Sequence, residues 1–123
     1  MTKPVKICTL RKRSDFILTR NGKREYCKGL NLQARRRGDK EHIDAKLIRV
    51  GITCSKKIGN AVKRNKAKRR LRELSKLIMP KNGKQGWDYV LLGRVHETCY
   101  RSFDLLLQDL EIAVKKVHRR HES

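Results

Sequence analysis

The chain has 123 residues, with 33 Lys and Arg against 12 Asp and Glu, and this length fits one domain spanning 1–123 around a single core. Its formal charge of +21 exceeds what solubility needs and opposes compaction unless an anion relieves it, which makes nucleic acid the leading partner. No apolar run approaches the roughly 20 residues of a spanning helix and nothing at the N-terminus resembles a signal peptide, so the expectation is a cytoplasmic protein without a membrane partner.

Residues 1–9 read as loose and basic, with Pro4 early. A short helix follows from Ser14, which can cap it, with Asp15 suited to the positive end of the dipole and Gly22 as a stop. Phe16 on this helix has two readings, a core anchor and a partly exposed ring on which a base could stack, and pattern favours the core. Leu30, Leu32 and Ala34 alternate with Asn31 and Gln33, predicting a half-buried strand. Arg35–Asp44 carries both signs of charge and Gly38, as a solvent-exposed hairpin loop would. In the next strand Ile48, Val50, Ile52 and Cys54 point one way and Arg49, Gly51 and Thr53 the other. Gly51 there permits close approach of a backbone or a ligand, or marks a bulge.

Ser55–Arg72 is the densest charge in the chain, with nine Lys and Arg and no acid. A turn over Ser55–Asn60 leads into a helix on which Ala67, Leu71, Leu74 and Ile78 repeat at four, three and four residues, one apolar stripe for packing on a sheet. Asn65, Arg69, Arg72 and Lys76 fall opposite, Lys66 and Lys68 on the shoulders, and Arg64 and Arg70 beside the stripe. A solvated helix face normally mixes both signs, whereas Glu73 is the first acid after a long cationic block.

Met79-Pro80 reads as the end of that helix. The loop after it contains Gly83-Lys84-Gln85-Gly86, which matches the GxxG of KH domains but precedes a strand instead of joining two helices. Trp87–Leu92 reads as a central strand covered on both faces, with Trp87 and Tyr89 in packing roles. A last helix opens near Tyr100–Ser102 on Phe103, Leu106, Leu107, Leu110, Val114 and Val117, with Lys115, Lys116, Arg119 and Arg120 complementing its dipole and 119–123 as a flexible tail.

The cysteines at 8, 27, 54 and 99 form no zinc-ligand spacing and read as reduced thiols, Cys54 in an apolar role; His118 and His121 read as solvated. No Ser/His/Asp or paired-carboxylate constellation is recognisable, so catalytic side chains are not assigned. On the residues alone, an RNA-binding protein without enzymatic role, ribosomal or chaperone, and a helix-based DNA binder both stay open.

Arg49–Glu73, RVGITCSKKIGNAVKRNKAKRRLRE, closely resembles the signature region of bacterial ribonuclease P protein subunits, with its strand, SKKIGNA connector and arginine-rich helix. Leu10, Asp15-Phe16 and Gly22 look like that family's first helix, Asp88–Arg94 like its later strand, and Tyr100 onward like its last helix. The resemblance implies an α+β single-domain sandwich, a sheet of about four strands packed by three helices, with a left-handed βαβ crossover of the ribosomal protein S5 domain 2-like kind. It implies a subunit that binds a catalytic RNA and the 5′ leader of precursor tRNA, with Mg²⁺ used by that RNA and none assigned to the protein, and no obligate protein partner. By resemblance Lys56, Lys57, Asn60, Lys63, Arg64, Asn65, Lys66, Lys68, Arg69 and Arg72 face the catalytic RNA, and Phe16 lines the leader cleft on the sheet. Lys66 stands where the family pattern has a second arginine, keeping the charge and losing bidentate phosphate geometry. The aromatic residues that many members place on the neighbouring strand have no counterpart between Leu30 and Ala34.

Overall fold

The computed structural model describes residues 5–38 and 41–122. Its elements are β1 (Ile7–Thr9), α1 (Arg13–Arg20), β2 (Lys23–Tyr26), β3 (Leu30–Arg36), β4 (Ile48–Thr53), a 3₁₀ turn (Lys56–Ile58), α2 (Ala61–Asn82), β5 (Trp87–Gly93), a single turn α3 (Glu97–Tyr100) and α4 (Phe103–Glu122). The strands form one sheet in the order β1-β4-β5-β3-β2. β4 runs parallel to both β1 and β5, while β3 pairs antiparallel with β5 and with β2. Parallel neighbours require a crossover, and α2 supplies the one between β4 and β5.

Period-2 alternation sends Leu30, Leu32, Ala34, Ile48, Val50, Tyr89 and Leu91 to one face, where α2 and α4 close a core with Leu71, Leu74, Leu106, Leu110 and Val114. The apolar stripe predicted on α2 is buried at all four positions. Helix α1 packs on the opposite face, so the sheet is sandwiched only in part.

Five strands stand where the resemblance implied about four and the sequence pattern marked three, and the two that no pattern marked are short edges. Ile7–Thr9, read from the sequence as loose, pairs with Ile48–Val50 and extends the sheet beyond β4. Lys23–Tyr26 (KREY) has no apolar alternation to reveal it. The chain folds back into it at Gly22, where an added Cβ would sit 2.3 Å from the Ala34 carbonyl oxygen.

Local corrections have equally specific causes. Helix α1 starts after Lys12, whose carbonyl accepts from the Asp15 and Phe16 N–H groups, so Ser14 is inside the first turn and caps nothing. The Arg35–Asp44 stretch joins strands separated by β5 and is no hairpin loop; Arg37 is buried and donates to the Asp44 and Leu47 carbonyls. Pro80 lies within α2, which continues to Asn82. A proline removes one N–H, and the buried Ile78 and Met79 hold the last turn, closed by Gly83 N–H on the Met79 carbonyl at 2.9 Å. His118 is buried, one turn beyond Val114, with Nε2 2.6 Å from the Tyr89 hydroxyl and its ring edge-on to Trp87. The last helix carries the chain to Glu122; Met1–Pro4 and Ser123 lie outside the described residues.

Candidate nucleic-acid interface

Strand register arranges the α1 side of the sheet in three rows. Arg35, Asp88 and Arg49 make the first; Arg24, Gln33, Val90 and Gly51 the second; Tyr26, Asn31, Leu92 and Thr53 the third. The first row is an ion network. Asp88, fully buried, accepts from Arg49 at 2.6 and 2.8 Å and from Arg37 at 2.7 Å, with Arg35 at 3.3 Å. Arg49 reaches on to Asp15 at 3.3 Å, which fastens α1 to the sheet. Arg35 also grips Glu41 at 2.8 and 3.0 Å, and this pair, against a smaller upward push from burial and helped by the Gly38 N–H, holds the Glu41 carboxyl down at about 2. Asp88 in turn raises Arg49 above the usual guanidinium value, chiefly through its hydrogen bonds.

Phe16 sits over the second row. A Cβ on Gly51 would come within 2.6 Å of two carbons of its ring, so the glycine is what lets the ring lie on the strand. The half-buried ring forms one wall of a cleft of about 510 Å³ whose other lining includes Arg11, Arg13 and Arg20 above and Gln33, Val90, Leu92 and Thr53 below. Phe16 therefore packs on the sheet face opposite the main core, where it lines the cleft, and is not among the residues of that core. The third row extends past the helix to Tyr26, 69% exposed on edge strand β2 and on the same sheet face. Sequence reading missed this ring because β2 itself was missed. The turn at Gly22 followed by Arg24 and Tyr26 at a spacing of two was the available signal.

The second cationic surface is the 3₁₀ turn and the first half of α2. Asn60 caps the helix, its side chain accepting from Lys63 N–H at 3.0 Å, so its oxygen is engaged within the protein. Lys56, Lys57, Lys63, Asn65, Arg69 and Arg72 are exposed, whereas Arg64, Lys66 and Lys68 are half-buried. Arg70, beside the stripe, donates to the Thr98 and Arg101 carbonyls and ties α2 to α3. Six acids are held in pairs elsewhere: Asp15, Glu41 and Asp88 with arginines of the sheet side, Asp109 with Arg101, Glu73 with Lys76 and Glu111 with Lys115. Among the described residues none of these ion pairs involves a cation between Lys56 and Arg72, so their positive charge is available to phosphate.

The four cysteines are free thiols, Cys99 buried beside Ile58 and Ala67 and Cys54 packed against them; burial pushes the Cys54 thiol up. Among the described residues no group of three or more His, Cys, Asp or Glu is placed to hold a metal ion, and no helix is long and apolar enough to cross a membrane.

A small α+β scaffold with an unopposed basic helix on one side and an arginine-rimmed, aromatic-walled cleft on the other defines an RNA-binding protein. The family model described as Ribonuclease P matches residues 6–118, and the chain belongs to the ribonuclease P protein family. It is 53% identical over 112 residues to the ribonuclease P protein component of Ruegeria pomeroyi, covering 91% of this chain and 87% of that protein. Its identity to the same component of Paramagnetospirillum magneticum is 45% over 109 residues, covering 88% and 80%. Among solved structures it is similar to the Thermotoga maritima RNase P protein (TM-score 0.68, 28% identity, 88% of this chain and 96% of that one) and to the Staphylococcus aureus RNase P protein (TM-score 0.67, 26% identity, 88% and 93%). The family role is that of the protein component of a tRNA-processing ribonuclease.

Proposed function

We propose that this chain holds two RNA segments at once: the catalytic RNA of ribonuclease P on the 3₁₀ turn and α2, and the single-stranded 5′ leader of precursor tRNA in the cleft between α1 and the sheet. The observation that carries the reading is the separation of charge. Six of the twelve acids are paired with cations outside Lys56–Arg72, which leaves that block to neutralise phosphates and release counterions. The cleft suits a single strand, because arginines line its rim and Phe16 offers a sequence-tolerant ring face, with Tyr26 continuing the surface. Bond cleavage is assigned to the RNA with its own Mg²⁺; the protein's residues bind and position.

The test is reconstitution of the full chain with a bacterial ribonuclease P RNA at low Mg²⁺. Enhanced 5′ processing of precursor tRNA is the expected result. Absence of stimulation would return the protein to the class of RNA binders without a processing role, and preference for duplex DNA would overturn the RNA assignment.

A further inference from the structure

The turn that precedes α4 places aromatic rings against the flank of the basic helix. α3 is bound to α2 by Arg70 donating to the Thr98 and Arg101 carbonyls and by the Cys99 thiol on the Lys63 carbonyl. Beside these contacts the Lys66 ammonium lies 4.7 Å from the centroid of Tyr100, and the His96 ring lies 4.8 Å from the same ring. Tyr100 nevertheless stays 53% exposed, and Val95, next to His96, is 57% exposed. His96 adopts φ 67°, ψ −56°, the one positive φ at a non-glycine residue among those described. A strained backbone persists only where its surroundings enforce it, and such outliers gather at binding sites.

We propose that Tyr100 and His96 form a stacking platform for an unpaired nucleobase of the RNA bound by α2, with Lys66 contacting the adjoining phosphate. The inference rests on the α2 reading above and extends that interface around the helix. Charge selects RNA over a protein partner: Lys66 lies over the Tyr100 ring, Lys63 and Arg70 are bonded to the α3 turn that carries it, and among the described residues no ion pair neutralises Lys63 or Lys66. Rings already ordered by one another lose little freedom on binding, and an aromatic face accepts any base. Lys66, where the family pattern has arginine, then acts as a point charge beside a ring, which needs no bidentate geometry.

The experiment is binding of the full-length protein to ribonuclease P RNA over a series of salt concentrations, comparing wild type, Tyr100→Ala, Tyr100→Phe and Arg69→Glu. Stacking involves no counterion, so Tyr100→Ala should weaken binding about 10-fold with an unchanged salt slope, and Tyr100→Phe should stay within about 2-fold of wild type. Arg69→Glu should flatten the slope. If it does not, the α2 reading fails and takes the platform with it. If it does while Tyr100→Ala binds normally, or loses affinity only through a flatter slope, the platform alone is overturned, and a protein-docking role for the patch takes its place. Were Tyr100→Ala to unfold, photocrosslinking of 4-thiouridine-substituted RNA to the wild-type protein decides: adducts on Tyr100 or His96 support the platform, and adducts confined to α2 overturn it.

Discussion

The Phe16 ring lies directly on Gly51, with 2.6 Å between its carbons and the place a Cβ would occupy. Two elements distant in sequence therefore depend on one missing side chain. Gly51→Ala should push the ring off β4 and lever α1 from the sheet, destabilising the fold by about 1–3 kcal/mol, the usual cost of overpacking. Leader-bearing precursor should bind more weakly, with mature tRNA little affected. Urea midpoints and paired affinity measurements check this; wild-type values in both would mean that the ring is not seated on the glycine.

Asp88 is the second dependency. Asp88→Asn keeps the shape but leaves Arg35, Arg37 and Arg49 short of a buried counter-charge. Each arginine retains another acceptor, Glu41, the Asp44 and Leu47 carbonyls, or Asp15. The loss should therefore sit near the low end for a broken buried pair, roughly 3 kcal/mol, read from chemical denaturation. Stability within about 0.5 kcal/mol of wild type would show that the network contributes little.

The sequence made most of the core legible and least of the edges. Ile48, Val50 and Ile52, or Ala67, Leu71, Leu74 and Ile78, bury one face each, and burial imposes a period that can be read. β1 is three residues, Ile-Cys-Thr, too short to display a period even though Ile7 packs on the core, and the side chains of β2 are largely polar, so no period marks it. His118 looked solvated among basic neighbours, although its position one turn after Val114 buries it. Phe16 was open between core and cleft because helical spacing does not say which face of the sheet a helix covers, and α1 lies on the face opposite the main core. The Asp88 hub depends on register across three strands, which no local pattern contains. The cationic block of Lys56–Arg72 was visible as charge and its RNA-facing residues were implied by resemblance, but that Asn60 commits its oxygen to a helix cap is a fact of geometry.

The Arg35–Glu41 pair predicts a specific acid response. Glu41 is held at about 2, below its ordinary 4.5, mainly by Arg35. A depressed carboxylate contributes its full stabilisation above about pH 4.5 and loses it as pH falls toward about 2. Glu41→Gln should remove this dependence, so the stability difference between wild type and variant should shrink on acidification through that window. A constant difference across it would mean that the pair is not formed in solution.

On the basic helix, Arg69 and Arg72 are exposed and unopposed, so the double change to Glu should alter binding without altering the fold. Affinity for the catalytic RNA should fall at every salt concentration. The slope of log affinity against log salt should lessen by about 0.7–0.9 for each phosphate that is no longer neutralised. Circular dichroism should be unchanged. An unaltered slope would remove both residues from the interface.

Tyr26 gives the prediction most dependent on topology. It stands three strands and one row from Phe16, roughly 16 Å at ordinary strand and residue spacings. A stacked strand rises about 3.4 Å per nucleotide, so a leader seated on Phe16 needs roughly five nucleotides to reach it. Tyr26→Ala should therefore weaken binding of precursor with a leader of ~8 nucleotides and leave one of ~2 nucleotides unaffected, while Phe16→Ala should weaken the longer one at least as much. The side chain is 69% exposed on an edge strand, so its loss should cost little stability and the comparison reports on binding. Equal sensitivity of both leaders to Tyr26→Ala would indicate an indirect effect through β2. Insensitivity of both would confine the leader to the second row, under α1.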